Sequence, residues 1–158
     1  MSPIAIRPAA VADAPVLAEL NAIVHTLHVE ARPDVFRSPS DGEQLAAIFA
    51  DFLARDDSLA FVAEDQDVPV GYVTATVHRR TGGPMHQPRA FVYVDQIAVR
   101  HSRGGVGTAL VEAVCAAGRQ AGCTDVVTEV WEFNERARSF FGNRLGFTPM
   151  RHILERPL

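Results

Sequence analysis

The stretch His101-Ser102-Arg103-Gly104-Gly105-Val106-Gly107-Thr108-Ala109-Leu110 limits most sharply what this chain can fold into. It follows an apolar run, Ala90 to Val99, that reads as a strand, and it opens directly into a helical pattern. A strand, a glycine turn and a helix start leave several backbone N–H groups free and aimed at one spot. The positive end of the helix dipole lies behind them. Such a spot favours an anion, most often phosphate. Glycines accept positive φ and let a ligand approach without meeting a Cβ.

Two nucleotide folds fit the stretch poorly. A dinucleotide fingerprint needs a third glycine three residues after Gly107, where this chain has Leu110. A P-loop needs Gly-Lys-Ser/Thr, and the stretch contains no lysine. Strand hairpins precede the turn, and a single strand–helix–strand unit surrounds it. A repeated βαβ pattern is not apparent.

Taken in order, Ile4 to Arg7 predicts a first strand. Asp13 predicts the cap of a helix with Pro15 in its first turn and a stripe of Val16, Leu17, Leu20, Val24 and Leu27. Pro33 ends that region, and Ser40-Asp41-Gly42-Glu43 fits a capping box starting a second helix through about Arg55. Leu59 to Glu64 and Val68 to Val77, joined at Asp65-Gln66-Asp67, predict a hairpin. A loop at 81–88 leads to the Ala90–Val99 strand. After the glycine turn, Val106, Ala109, Leu110, Ala113, Val114 and Ala117 share a helical face, and Gly122 lies past its end. Thr124 to Val130 predicts a strand, Asn134 to Arg144 a short helix stopped by Gly146, and Phe147 to Leu154 a last strand. With no repeats or low-complexity tract, 1–158 reads as one mixed α/β (α+β) domain.

The 158 residues, 47% hydrophobic and 22% charged, suffice for one packed core. A net charge of −4 argues against nucleic acid as a partner and suits a cationic substrate. Cys115 and Cys123 are too few for a disulfide framework and read as buried thiols in a reducing compartment. No run approaches a membrane span, and a signal-peptide pattern is missing, so a cytoplasmic domain without membrane contact is expected. His25 and His28, with Glu30 nearby, are three apart on the first helix. Solvated or substrate-lining roles suit them better than a metal site, so none is expected.

At four places, in order, the chain resembles the GNAT family of acyl-CoA-dependent N-acyltransferases. The family's Gln/Arg-x-x-Gly-x-Gly/Ala signature aligns with Ser102-Arg103-Gly104-Gly105-Val106-Gly107. Its Asn-x-x-Ala-x-x-Phe-Tyr and Leu-Gly-Phe elements align with Asn134, Ala137, Phe140-Phe141 and Leu145-Gly146-Phe147. Val70-Gly71-Tyr72-Val73 and Asp95-Gln96-Ile97-Ala98-Val99 look like its third and fourth strands. The likeness spans about residues 4 to 156. It departs at Ser102, where the family has Gln or Arg, and at Phe141, where a Tyr often serves as general acid.

The resemblance implies a mixed, mostly antiparallel sheet flanked by helices, with the fourth and fifth strands splayed. It implies acetyl-CoA as co-substrate. The N–H groups of Arg103, Gly104, Gly105, Val106, Gly107 and Thr108 would then hold the pyrophosphate. The pantetheine arm would lie along Ile97, Ala98 and Val99, with the N–H of Ile97 or Ala98 polarising the thioester. Asn134 would cap its helix, contact CoA, or do both. An amine nucleophile must shed a proton, and Tyr93, Asp95 and Glu129 are the candidates. Without a bulge, Tyr93 and Asp95 share a strand face with Ile97. His28 and Phe36 are candidate acceptor contacts. The acceptor is a small amine or, alternatively, a protein or peptide. A further alternative is an acyl-CoA-binding sensor without turnover. Family members are often homodimers.

Overall fold

The computed structural model describes residues 3–38, 41–101 and 103–158, with Arg103 described by its backbone alone. Five strands form one sheet in the order β1-β2-β3-β4-β5: β1 Ala5–Pro8, β2 Ser58–Asp65, β3 Val68–Arg80, β4 Arg89–Val99 and β5 Asp125–Thr128. The first four pair antiparallel, and β5 joins β4 parallel. Helix α3, Val106–Gln120, makes the crossover that a parallel pair requires.

Two apolar layers cover the sheet. On one face, Ala14, Leu17 and Leu20 of α1 (Ala14–Ala31) and Phe49 of α2 (Gly42–Leu53) pack on Val62, Tyr72 and Ala98. On the other, Val106, Leu110 and Val114 of α3 pack on Ala63, Val73, Ala75, Val92 and Val94. The helical periodicity of the sequence and the alternation along the strands therefore agree on where the core lies.

The β2–β3 hairpin turns at Gln66 and Asp67, with φ of 49° and 63°. Local caps differ from the sequence expectation. Asp13 makes no side-chain bond to α1. Its carboxylate accepts from the Ala10 N–H at 2.7 Å and from the Arg7 guanidinium at 2.9 Å, closing a short turn before the helix. Ser40 lies outside the described residues, and the cap of α2 is Asp41, which accepts from the Glu43 N–H at 2.8 Å.

The C-terminal region departs further. The Asn134–Arg144 helix is reduced to α4, Glu135–Ser139, followed by a wide turn over Phe140–Arg144. Asn134 caps α4, accepting from the Ala137 N–H at 3.0 Å. The last strand expected at Phe147–Leu154 does not form. Phe147 packs on Phe141, but from Thr148 onward the chain is exposed. Pro149 has no N–H to donate, and β5 offers an edge of only four residues.

Candidate functional site

Two features of β4 create the site. First, its register against β3 shifts at Asp95: Thr74 faces Gln96, while Ala75 faces Val94. Asp95 is the extra residue of a β-bulge. Beyond the bulge the facing alternation is inverted, so Ile97 and Val99 continue the α3 face begun by Val92 and Val94. The bulge intervenes, so Tyr93 and Asp95 do not share a face with Ile97. Asp95 turns to the α1 side, where its Oδ2 accepts from Thr76 Oγ1 at 2.7 Å.

Second, β5 accompanies β4 only from Phe91 to Val94. At the last rung Thr128 Oγ1 donates to the Val94 carbonyl at 3.2 Å, and the two strands then part. The expected fifth strand, Thr124–Val130, is thus shortened to Asp125–Thr128. Glu129, Val130 and Trp131 leave the ladder and line a cavity of about 880 Å³. The opening between β4 and β5 is this cavity, and Asp95, Gln96, Ile97, Ala98 and Val99 line it.

One end of the cavity is the glycine turn. Gly104 and Gly105 both hold positive φ, 77° and 71°. A Cβ at either would meet no atom within 4 Å, so conformation rather than space calls for glycine there. Gly105 is the N-cap of α3 and supplies no side-chain cap, which leaves the first N–H groups of the helix without an internal partner. Gly107 has a different reason: a Cβ there would stand 3.1 Å from the Phe140 ring. The turn after α4 thus packs against the start of α3. Gly105, Gly107, Thr108 and Asn134 all line the cavity. Ser102 and the Arg103 side chain lie outside the described residues.

The other end is made of side chains. His28 and Phe36 line it together with Trp131. The His28 ring lies 5.0 Å from Phe36 and 5.7 Å from Phe133, and Phe36 meets Trp131 edge-on at 5.3 Å. Burial, aided by the charge of nearby His25, pushes the His28 pKa down, so its imidazole is neutral at pH 7. His25 is bonded to the Arg37 carbonyl at 2.6 Å. Among the described residues, no cluster of three or more His, Cys, Asp or Glu is arranged to hold a metal.

The titratable candidates separate by environment. Burial pushes the Asp95 carboxyl above the ordinary carboxylate value, against the opposing bond from Thr76. Burial, with Glu129 beside it, pushes the Tyr93 phenol up to about 12, so it stays protonated at neutral pH. Glu129 is engaged by Arg151 at 2.9 Å. Phe141 is buried against Phe140 and Phe147.

A buried polar triad escaped the sequence reading. Asn21 Nδ2 donates to the Tyr72 hydroxyl at 2.9 Å and to Gln96 Oε1 at 3.0 Å, and the Tyr72 hydroxyl donates to Gln96 Oε1 at 2.9 Å. It ties α1 and β3 to the residue that follows the bulge. The available signal was Asn21 itself, an amide adjoining the apolar stripe of α1.

These features define a mixed α/β protein whose binding cleft opens within its own sheet. A model of the acetyltransferase (GNAT) family matches residues 22–147, and the chain belongs to that family. A tetramutant of the BH1408 protein from Bacillus halodurans is similar over 98% of this chain and 99% of that one, at 28% identity and a TM-score of 0.88. The aminoglycoside N-acetyltransferase AAC(6')-Iy, in complex with the bisubstrate analogue CoA-S-monomethyl-acetylneamine, shares the fold over 99% of each chain, at 19% identity and a TM-score of 0.76. AAC(6')-Ih from Acinetobacter baumannii does so over 98% of this chain and 97% of that one, at 15% identity and a TM-score of 0.75. No curated protein matches in sequence. No helix among the described residues is long and apolar enough to cross a membrane.

Proposed function

We propose that this protein transfers the acetyl group of acetyl-CoA to a primary amine by direct attack in a ternary complex. The observation that carries the reading is the parting of β4 and β5 after Val94 and Thr128, which opens a cleft from the glycine turn to Asp95. Pyrophosphate would sit on the N–H groups of Gly105 to Thr108, at the positive end of α3. The backbone of Ile97 to Val99, without a β5 partner, would pair with the pantetheine amides as an added strand does. An N–H at Ile97 or Ala98 would meet the thioester oxygen as it gains charge.

A lysine-like amine is neutral in roughly one molecule in a few thousand at pH 7, so a base is needed. Asp95 is the best suited: its raised pKa brings it nearer the working pH, and its Oδ1 is not used by Thr76. Asp95 takes one proton of the ammonium directly or through water, the freed amine nitrogen bonds to the acetyl carbon, the C–S bond breaks, and the nitrogen sheds its second proton towards the departing sulfur. The thiolate leaves and takes that second proton or one from water, since a phenol held at about 12 is too weak an acid to supply it. Glu129, already paired with Arg151, is less free to act as the base.

The buried Phe141, with no hydroxyl to offer, keeps a non-catalytic acyl-CoA sensor as the second reading. One experiment separates them: acetyl-CoA is added with a panel of amines while free thiol is followed. Amine-dependent thiol release supports the transferase. Thermal stabilisation by acetyl-CoA with no release across the panel contradicts it.

A further inference from the structure

We infer that the acceptor is a monocationic amine with an aromatic or broad apolar body, and that Trp131 and Phe36 select it. This inference rests on the transferase reading above. Among the described residues, Asp95 and Glu129 are the only carboxylates lining the cavity, and Arg151 already neutralises Glu129. Asp95, engaged by Thr76 through Oδ2 alone, leaves one carboxylate oxygen for one ammonium group. A polycation, such as the aminoglycosides for which AAC(6')-Iy and AAC(6')-Ih are named, would leave its further charges unmatched.

The positive charge is distributed consistently with this. Arg136 of α4 and Arg144 of the turn after it line the cavity, and that turn packs through Phe140 against the start of α3, where an anionic donor would sit. Near the opposite wall, Arg32 lies 5.4 Å from the Trp131 ring centre, with its charge met by Asp34 at 2.8 Å and Glu155 at 2.6 Å.

The acceptor-side surface is apolar where it faces the cavity. Ile23, Leu27 and Trp131 are 39%, 43% and 38% exposed, and all three line it beside Phe36. Large apolar groups left open on one cavity wall mark a surface that binds apolar matter. Phe133 stacks behind Trp131 at 5.8 Å, and the neutral His28 supports Phe36. The wall is therefore held in place before a ligand arrives. An aryl group would gain contact there, and an ammonium near the ring faces would gain cation–π attraction.

Trp131 is the sole tryptophan of the chain, so its emission reports on this wall without turnover. Phenethylamine, butylamine, spermidine and kanamycin are compared in thiol release and in Trp131 fluorescence, with acetyl-CoA bound. The expected result is a kcat/KM for phenethylamine about tenfold or more above the other three, with a saturable change in emission. Trp131→Ala should raise the KM for phenethylamine about tenfold with little change in kcat, and Trp131→Phe should restore most of it. A preference for kanamycin or spermidine, or an equal loss for every amine in Trp131→Ala, overturns the inference while leaving the transferase intact. Stabilisation by acetyl-CoA without thiol release from any amine overturns the transferase reading itself, and this inference with it.

Discussion

At the glycine-turn end of the cleft, the groups offered to the cavity are backbone N–H donors at the start of α3. At the far end they are side chains drawn from α1, the 32–38 segment and the chain beyond β5. The first set is fixed by conformation: two successive glycines at positive φ and a helix start without a side-chain cap. The second depends on rings that support one another across three separate segments. A backbone site suits a ligand part that never changes, and a side-chain site suits one that differs between proteins of one fold. Between them lies Asp95, aimed by a bulge rather than by strand alternation.

Substitutions at Asp95, at the glycine turn and in the buried triad should separate their roles. The largest effect is expected from Asp95→Asn, which should lower kcat by about 100-fold or more while acetyl-CoA binds as before. Its thermal stability should hold or rise. The folded-state pKa of Asp95 lies above the unfolded value, so at neutral pH the ionised group opposes folding, and that penalty disappears only as pH falls below the unfolded pKa. A marked drop in Tm would contradict the role given to Asp95. In the wild type, the acid limb of the pH–rate profile should lie above that of an ordinary aspartate, because the base acts only when deprotonated.

Gly105→Val comes next. A β-branched residue at φ of 71° strains the turn, and acetyl-CoA affinity should fall by about 10- to 100-fold. Phenethylamine should still perturb Trp131 emission in this variant. Loss of both responses would mean that the two ends are not independent. The smallest effect should be that of Tyr72→Phe, which removes one member of the buried triad and should cost about 1 kcal/mol in denaturant unfolding.

The sequence made the glycine-turn end readable because its determinants are local. Glycine spacing, the apolar strand before it and the helical stripe after it lie within about thirty residues. The four antiparallel strands and three main helices were readable for the same reason, from periodicity. The bulge was not, since a single extra residue in β4 is defined only by its pairing with β3. Without it, Asp95 appeared to face the same way as Ile97. The aromatic end of the cavity was partly legible: His28 and Phe36 line it as read from their segment, but Trp131 joins them only because β5 ends at Thr128. The ion pairs from Arg151 to Glu129 and from Glu155 to Arg32 span long sequence separations and leave no local pattern. The final apolar residues suggested a strand, yet Pro149 and the short edge of β5 gave it nothing to pair with.

The most direct test of the backbone-built donor end is a calorimetric titration of the protein with acetyl-CoA, with ATP and NAD as competing phosphate ligands. Saturable binding of one acetyl-CoA per chain is expected, matched by neither nucleotide and weakened in Gly105→Val. Binding of ATP or NAD with none of acetyl-CoA, or unchanged acetyl-CoA affinity in Gly105→Val, would contradict it.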